Sequence, residues 1–498
     1  MNESENWPLE DPEPSTHPEP PLPELPDLGI PGDEPPIFLS APLPDPLPVA
    51  PHPPEPPSTR RGCWFTGLIL VLVISLLGSG IASAFWLITR ARSDTAVSAA
   101  NANPPGRIAY INQNGQVVTI DPDGNNGRLL TDTTFNYQFP TWSPDGRSLA
   151  VIGDETIFLL PDQEGSEAVS LYTDSRQNPF YLYWSPDGRL LSFLTNDPRH
   201  GIGLRLVAAD TPLSDRLLTT GSPVYWNWTS DSQKLLVHSG ISGTDARLAL
   251  LNTDSFENAE DIAPPGFFQT PGISANGRFW AYAEDLGDGT SWLVVTNRET
   301  GERWLERHSG MVAFSWSPVG SQLAFTNGAR EGSLTAWGPL RLFNAETGET
   351  RLLSGNTNLA FFWSPDGRYL AAINTGDNSE NFGTNVMKKD DGRRPIAAKP
   401  NLQPPRHEFN LAIINLETGE ERQALSFVPT GLFISQFLPF FDQYALSHHI
   451  WSPNSDAVVL SVMEESGSQV KIIPVDGGPT TDLGRGDMPF WSPGQSNP

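Results

Sequence analysis

Residue types able to do covalent or metal chemistry occur throughout this chain of 498 residues, but their spacing does not assemble them. Gly240-Ile-Ser242-Gly-Thr244 approaches the Gly-x-Ser-x-Gly turn that exposes a nucleophilic serine, and it fails at the last position. The eight histidines are His17, His52, His200, His238, His308, His407, His448 and His449, and they form no His-x-x-x-His pair or comparable ligand spacing. No phosphate loop or dinucleotide fingerprint is present. The sequence thus assigns no catalytic residue, no metal ligand and no cofactor, and it favours a non-enzymatic role while leaving the enzyme class open.

Other chemically suggestive groups have simpler readings. Asp145, Asp187 and Asp366 each follow a Ser-Pro pair in a separate turn. Calcium needs about six to eight oxygens in one cage, so one carboxylate per turn reads as structural. Arg485-Gly486-Asp487 reads as a turn before the last strand, and Cys63 as an idle thiol that excludes an intrachain disulfide. The strongest candidate contact site is a segment at about 376–407, which holds Lys388, Lys389, Arg393, Arg394, Lys399 and Arg406. Long insertions on rigid scaffolds often carry function.

These residues must be positioned by a repeat. Trp142-Ser-Pro-Asp-Gly-Arg147 recurs at Trp184 and Trp363, with looser copies starting at Trp228, Ile273, Trp316, Trp451 and Trp491. Successive starts differ by 42, 44, 45, 43, 47, 88 and 40 residues, close to the ~40–45 residues of one four-stranded propeller blade. Second turns at Asp123-Gly124, Glu164-Gly165, Thr211-Pro212, Phe256-Glu257, Thr300-Gly301, Thr347-Gly348, Thr418-Gly419 and Asp476-Gly477 give a separate count of eight hairpins. The fold class is therefore all-β, an eight-bladed β-propeller with seven blades as the alternative. Trp142, Trp184, Trp228, Trp316, Trp363, Trp451 and Trp491 are expected to pack between blades. Residues 107–131 supply three strands with no Trp-turn strand before them, and Met488 to Ser492 supplies the missing one from the far end. The termini are expected to complete one blade together.

The Trp-Ser-Pro-Asp-Gly turns, with the Leu130-Thr131 and Leu218-Thr219 endings, resemble the TolB-like, WD-repeat-like class of β-propellers over residues ~106–494. The resemblance is specific for fold. It implies a binding platform or an accessory or catalytic domain without choosing between them.

Composition divides the rest of the chain. Residues 1–61 form an acidic Pro-rich tail, and positions 1–59 hold 20 of the 49 prolines with no Lys or Arg, so disorder is expected. Residues 62–90 are expected to span a membrane as one helix, because Trp64 to Ile88 is 25 uncharged residues, roughly 37 Å of helix against a ~30 Å hydrocarbon core. Trp64, Phe65, Phe85 and Trp86 sit where interfacial aromatics belong, and residues 91–105 read as a linker to the propeller at 106–494. Two arginines flank each end, so charge does not orient the span. The resemblance to exported propellers places the tail in the cytoplasm and the propeller outside. Ser75, Ser79 and Ser83 would allow a homodimer through the helix.

The formal charge of -27 argues against nucleic acid as a partner. The expected partners are membrane lipid and a protein, peptide or glycan ligand, bound by a membrane-anchored scaffold. The alternatives are a lyase or hydrolase acting on an exported polymer in the central funnel, and a ligand sensor signalling through the helix.

Overall fold

The computed structural model describes residues 106–494 except 198–200, 242–245, 255–258, 288–290, 309, 329–334 and 376–407. They belong to the compact unit Trp86–Pro498. The expected membrane span with Trp64, Phe65, Phe85 and Trp86, the Pro-rich tail, the basic insertion and the Phe256-Glu257 hairpin lie outside the described residues. Among the described residues no helix is long and apolar enough to cross a membrane.

Continuous apolar runs become strands covered on both faces. Leu149, Ala150, Val151 and Ile152 of Ser148–Gly153 are all buried, as are Leu370 to Ile373 of Tyr369–Asn374. Outer strands alternate instead, as in Arg303–Arg307, where every second residue is exposed. Among the described residues the result is an all-β, propeller-type arrangement of four four-stranded sheets, one six-stranded and one seven-stranded sheet. The two larger sheets arise from long strands with two partners. Glu349–Trp363 pairs with Gly338–Asn344 along its first half and with Tyr369–Asn374 along its second. Thr481–Trp491 does the same with Gly467–Pro474 and Ile108–Asn112. The last strand thus closes on the first, with Trp491 opposite Ile108.

This pairing corrects the reading of Arg485-Gly486-Asp487 as a turn. All three lie inside the strand Thr481–Trp491, Gly486 opposite Asn112 and Asp487 opposite Ile111. Burial raises the Asp487 pKa, and its carboxylate accepts from Thr430 Oγ1 at 3.2 Å.

The repeated turn is closed by its serine and aspartate together. Ser143 Oγ donates to Asp145 Oδ1 at 2.6 Å, which also accepts Arg147 N, and Ser143 Oγ itself accepts Ser148 N. The same three bonds recur at Ser185 with Asp187 and at Ser364 with Asp366. The carboxylates are committed to their own turns. Gly146, Gly188 and Gly367 take φ of +66° to +70° there. Ser232 and Ser455 stand at the equivalent position with φ of +60° and +61°. Each receives a neighbouring turn's amide in return: Asp187 N donates to Ser232 Oγ and Asp366 N to Ser455 Oγ, both at 3.1 Å.

One segment departs from the repeat. After the strand Glu421–Phe427 the chain starts a new innermost strand at Val428 and Pro429, where Met463 N donates to Val428 O and Pro429 bridges Val462. It rejoins that line only at Ile450 and Trp451, where Val459 N donates to Ile450 O and Trp451 bridges Val458. Between these points it coils through a π-helical turn Phe433–Phe437, a 3-10 turn Leu438–Phe440 and the α-helix Phe441–Ser447. We call this segment the plug. Phe433, Phe437, Phe441 and Tyr444 recur at helical spacing and are all buried. Its partners are Phe139, Tyr181, Trp226, Phe361 and Phe490, which belong to five different sheets. The plug therefore occupies the centre of the ring, inside an innermost strand that it interrupts.

Candidate functional site

Five of the repeat's tryptophans reach back to the preceding repeat through their indole N–H groups. Trp142 donates to Phe490 O, Trp184 to Thr141 O, Trp363 to Ser315 O and Trp451 to Phe362 O, at 3.0–3.3 Å. In each case the acceptor is the residue just before the preceding repeat's tryptophan. Trp228 reaches the equivalent carbonyl through a relay, donating to Ser192 Oγ, which donates to Tyr183 O at 2.6 Å. Trp316 and Trp491 make no such bond, and their indole nitrogens have no acceptor among the described residues. All but the half-buried Trp363 are buried.

The end of the plug and the Trp-Ser-Pro turns together form a bowl. On one side a cavity of about 410 Å³ is walled by Phe314, Trp316, Phe362, Trp363 and Trp451, with Asp442 from the plug. On another side a cavity of about 270 Å³ is lined by Trp142, Trp184, Pro144 and Pro186. Leu446 and His449 border both. The prolines that preset the turns are thus also part of the bowl's apolar wall.

The plug is fixed by polar contacts to the chain around it. Tyr181 Oη donates to Gln443 O at 2.8 Å, and Thr141 Oγ1 donates to Ser447 O at 2.8 Å. Asp442 Oδ2 accepts Thr270 N at 3.4 Å, and Asp442 Oδ1 accepts Gln443 N at 3.0 Å. Burial raises the Asp442 pKa, since no cation offsets the lost hydration. Burial lowers that of His448 to about 3, its Nδ1 lying 2.6 Å from Ser447 Oγ. His449 is exposed toward the cavities yet closely surrounded by protein, and that enclosure lowers its pKa too.

The structure separates the residues singled out by sequence. Trp142, Trp184, Trp228, Trp363 and Trp451 bond to the preceding repeat, directly or through Ser192, and Trp142, Trp184, Trp316, Trp363 and Trp451 line the bowl. Lys388, Lys389, Arg393, Arg394, Lys399 and Arg406 lie outside the described residues. Sequence reasoning missed Asp442, Gln443, Leu446 and the whole plug, although the aromatic spacing 433, 437, 441, 444 was a helical signal. Among the described residues, no three His, Cys, Asp or Glu are grouped to hold a metal.

No family model matches the chain, and no curated protein matches it. Solved structures similar to it include TolB from Acinetobacter baumannii, at 18% identity over 50% of this chain and 66% of that one, with a TM-score of 0.31. A putative TolB from Agrobacterium tumefaciens is 20% identical over 53% of this chain and 95% of that one, with a TM-score of 0.33. Oligogalacturonate lyase from Vibrio parahaemolyticus is 14% identical over 76% of this chain and 86% of that one, with a TM-score of 0.39. The structural neighbours thus include TolB-like β-propeller proteins, at similarities that transfer neither residues nor activity.

Proposed function

We propose that this chain is a membrane-anchored, eight-bladed propeller that binds a partner through the bowl formed by its Trp-Ser-Pro turns. The observation that carries this reading is the plug: Phe433–Ser447 fills the ring's centre and leaves a shallow aromatic bowl. A bowl of this kind suits a peptide, a protein loop or a glycan better than it suits a polymer threaded along the axis for cleavage. The eight-blade count is supported by eight Trp-turn starts and by the two long strands, each of which divides between neighbouring four-stranded units.

The anchor rests on the 25 uncharged residues from Trp64 to Ile88. In this reading the tail faces the cytoplasm, the propeller lies outside, and the serine-lined helix face permits a homodimer. The basic segment at about 376–407 supplies a second contact. The test compares partners crosslinked in intact membranes by the wild type, by Leu446→Arg and by a chain lacking residues 376–407. Loss of a partner with Leu446→Arg supports the bowl. Retention of every partner by Leu446→Arg removes it, and loss only on deletion of 376–407 moves the contact to that segment.

A further inference from the structure

One group in the wall of the 410 Å³ cavity lacks a counter-charge. Asp442 is 8% exposed, and the residues lining the cavity include no Lys or Arg. Its carboxyl accepts Thr270 N and Gln443 N and is met as well by the Thr270 side chain, and none of these carries a positive charge. A carboxylate so enclosed is costly unless a cation joins it.

The rest of the wall narrows the choice. Phe314, Phe362, Trp363 and Trp451 surround the same space, and aromatic faces attract cations through their quadrupole. The formal charge of -27 repels anions at long range. A neutral ligand would leave Asp442 without a counter-charge.

We propose that this cavity receives one lysine or arginine side chain from an extended segment of a partner protein. The cationic head pairs with Asp442 and packs among the aromatic side chains of the wall. This rests on the reading of the bowl as the binding face and specifies what the bowl selects.

The test titrates the full chain in detergent micelles with acetyl-Gly-Gly-Lys-Gly-Gly-amide and with its Gln and Glu analogues, read by tryptophan fluorescence and calorimetry. The Lys peptide is expected to bind about tenfold more tightly than the Gln peptide, and the Glu peptide not at all. In Asp442→Asn, which keeps the side chain's shape, the Lys and Gln peptides should bind alike. Trp363→Leu, which removes an aromatic face from a half-buried position of the wall, should weaken the Lys peptide more than the Gln peptide, and it provides a second variant if Asp442→Asn does not fold. Equal binding of Lys and Gln peptides by the wild type overturns the proposal, as does a preference that survives in Asp442→Asn. Failure of all three peptides overturns it as well. The bowl itself is decided separately, because partner crosslinking that is lost with Leu446→Arg upholds the binding face under any of these results.

Discussion

Gln443 engages both backbone groups of Trp226 with one side chain: Trp226 N donates to Gln443 Oε1 at 2.9 Å, and Gln443 Nε2 donates to Trp226 O at 3.1 Å. Trp226 lies in Val224–Trp228, the first strand of its sheet, whose other partner is Lys234–Ser239. The amide therefore does for the inward edge what a further strand would do. Because a helix in the ring's centre cannot offer backbone groups sideways, a side chain of amide chemistry is the available substitute.

Gln443→Leu should leave a buried N–H and a buried C=O unmet and destabilise the fold by roughly 2–4 kcal/mol. Urea unfolding measures this directly. An unchanged midpoint would mean that the amide pair contributes nothing to holding the plug.

The tryptophan ring offers an internal comparison. Trp451 donates its indole proton to Phe362 O at 3.0 Å, whereas Trp316 has no acceptor. Both are buried, at 3% and 8% exposure, so replacement by phenylalanine removes a similar apolar area in each. Trp451→Phe additionally loses the hydrogen bond to the Phe362 carbonyl. It should cost about 1 kcal/mol more than Trp316→Phe in thermal or urea unfolding. Equal costs would show that the indole contributes by packing alone.

The same tryptophans show how far the sequence could be read. The Trp-Ser-Pro period and the incomplete first repeat are local signals, since turn chemistry and strand alternation act over a few residues. They anticipated the closing pair of Ile108 with Trp491. The plug was not legible in the same way. It sits inside the 88-residue interval between Trp363 and Trp451, where the basic insertion at about 376–407 already breaks the period. Phe433, Phe437, Phe441 and Tyr444 do repeat as a helix repeats, but nothing local tells a chain to suspend a strand and place that helix among five sheets. Asp442 and Gln443 acquire their roles only through Thr270 and Trp226, 172 and 217 residues away.

Ser232 tests the balance between backbone strain and a bond to the neighbouring turn. Its φ of +60° disfavours any residue with a Cβ, and its hydroxyl accepts Asp187 N at 3.1 Å. Ser232→Ala keeps the strain and loses the bond, so it should cost about 1 kcal/mol. Ser232→Gly loses the bond and relieves the strain, two effects of about 1 kcal/mol that nearly cancel. A glycine variant as unstable as the alanine variant would show that φ carries no cost here.

Buried neutral histidines should make the propeller acid-sensitive. Burial lowers the pKa of His238 to about 3, of His308 to about 4 and of His448 to about 3. The unfolded chain, with histidines near 6.5, takes up protons first as pH falls. Each histidine's contribution is therefore fully present above pH ~6.5 and is lost as pH drops toward its folded value, by roughly 2 kcal/mol between pH 7 and 5. Asp442 and Asp487, raised by burial, act in the opposite sense, favouring the fold as they become protonated. A single substitution isolates the histidine effect from theirs. His238→Leu should be less stable than the wild type at pH 7, because the Gln269 amide loses its partner at 3.1 Å. That deficit should shrink by roughly 2 kcal/mol at pH 5, as the wild type alone bears the cost of keeping His238 uncharged. A deficit that stays constant between the two pH values would place the acid sensitivity elsewhere.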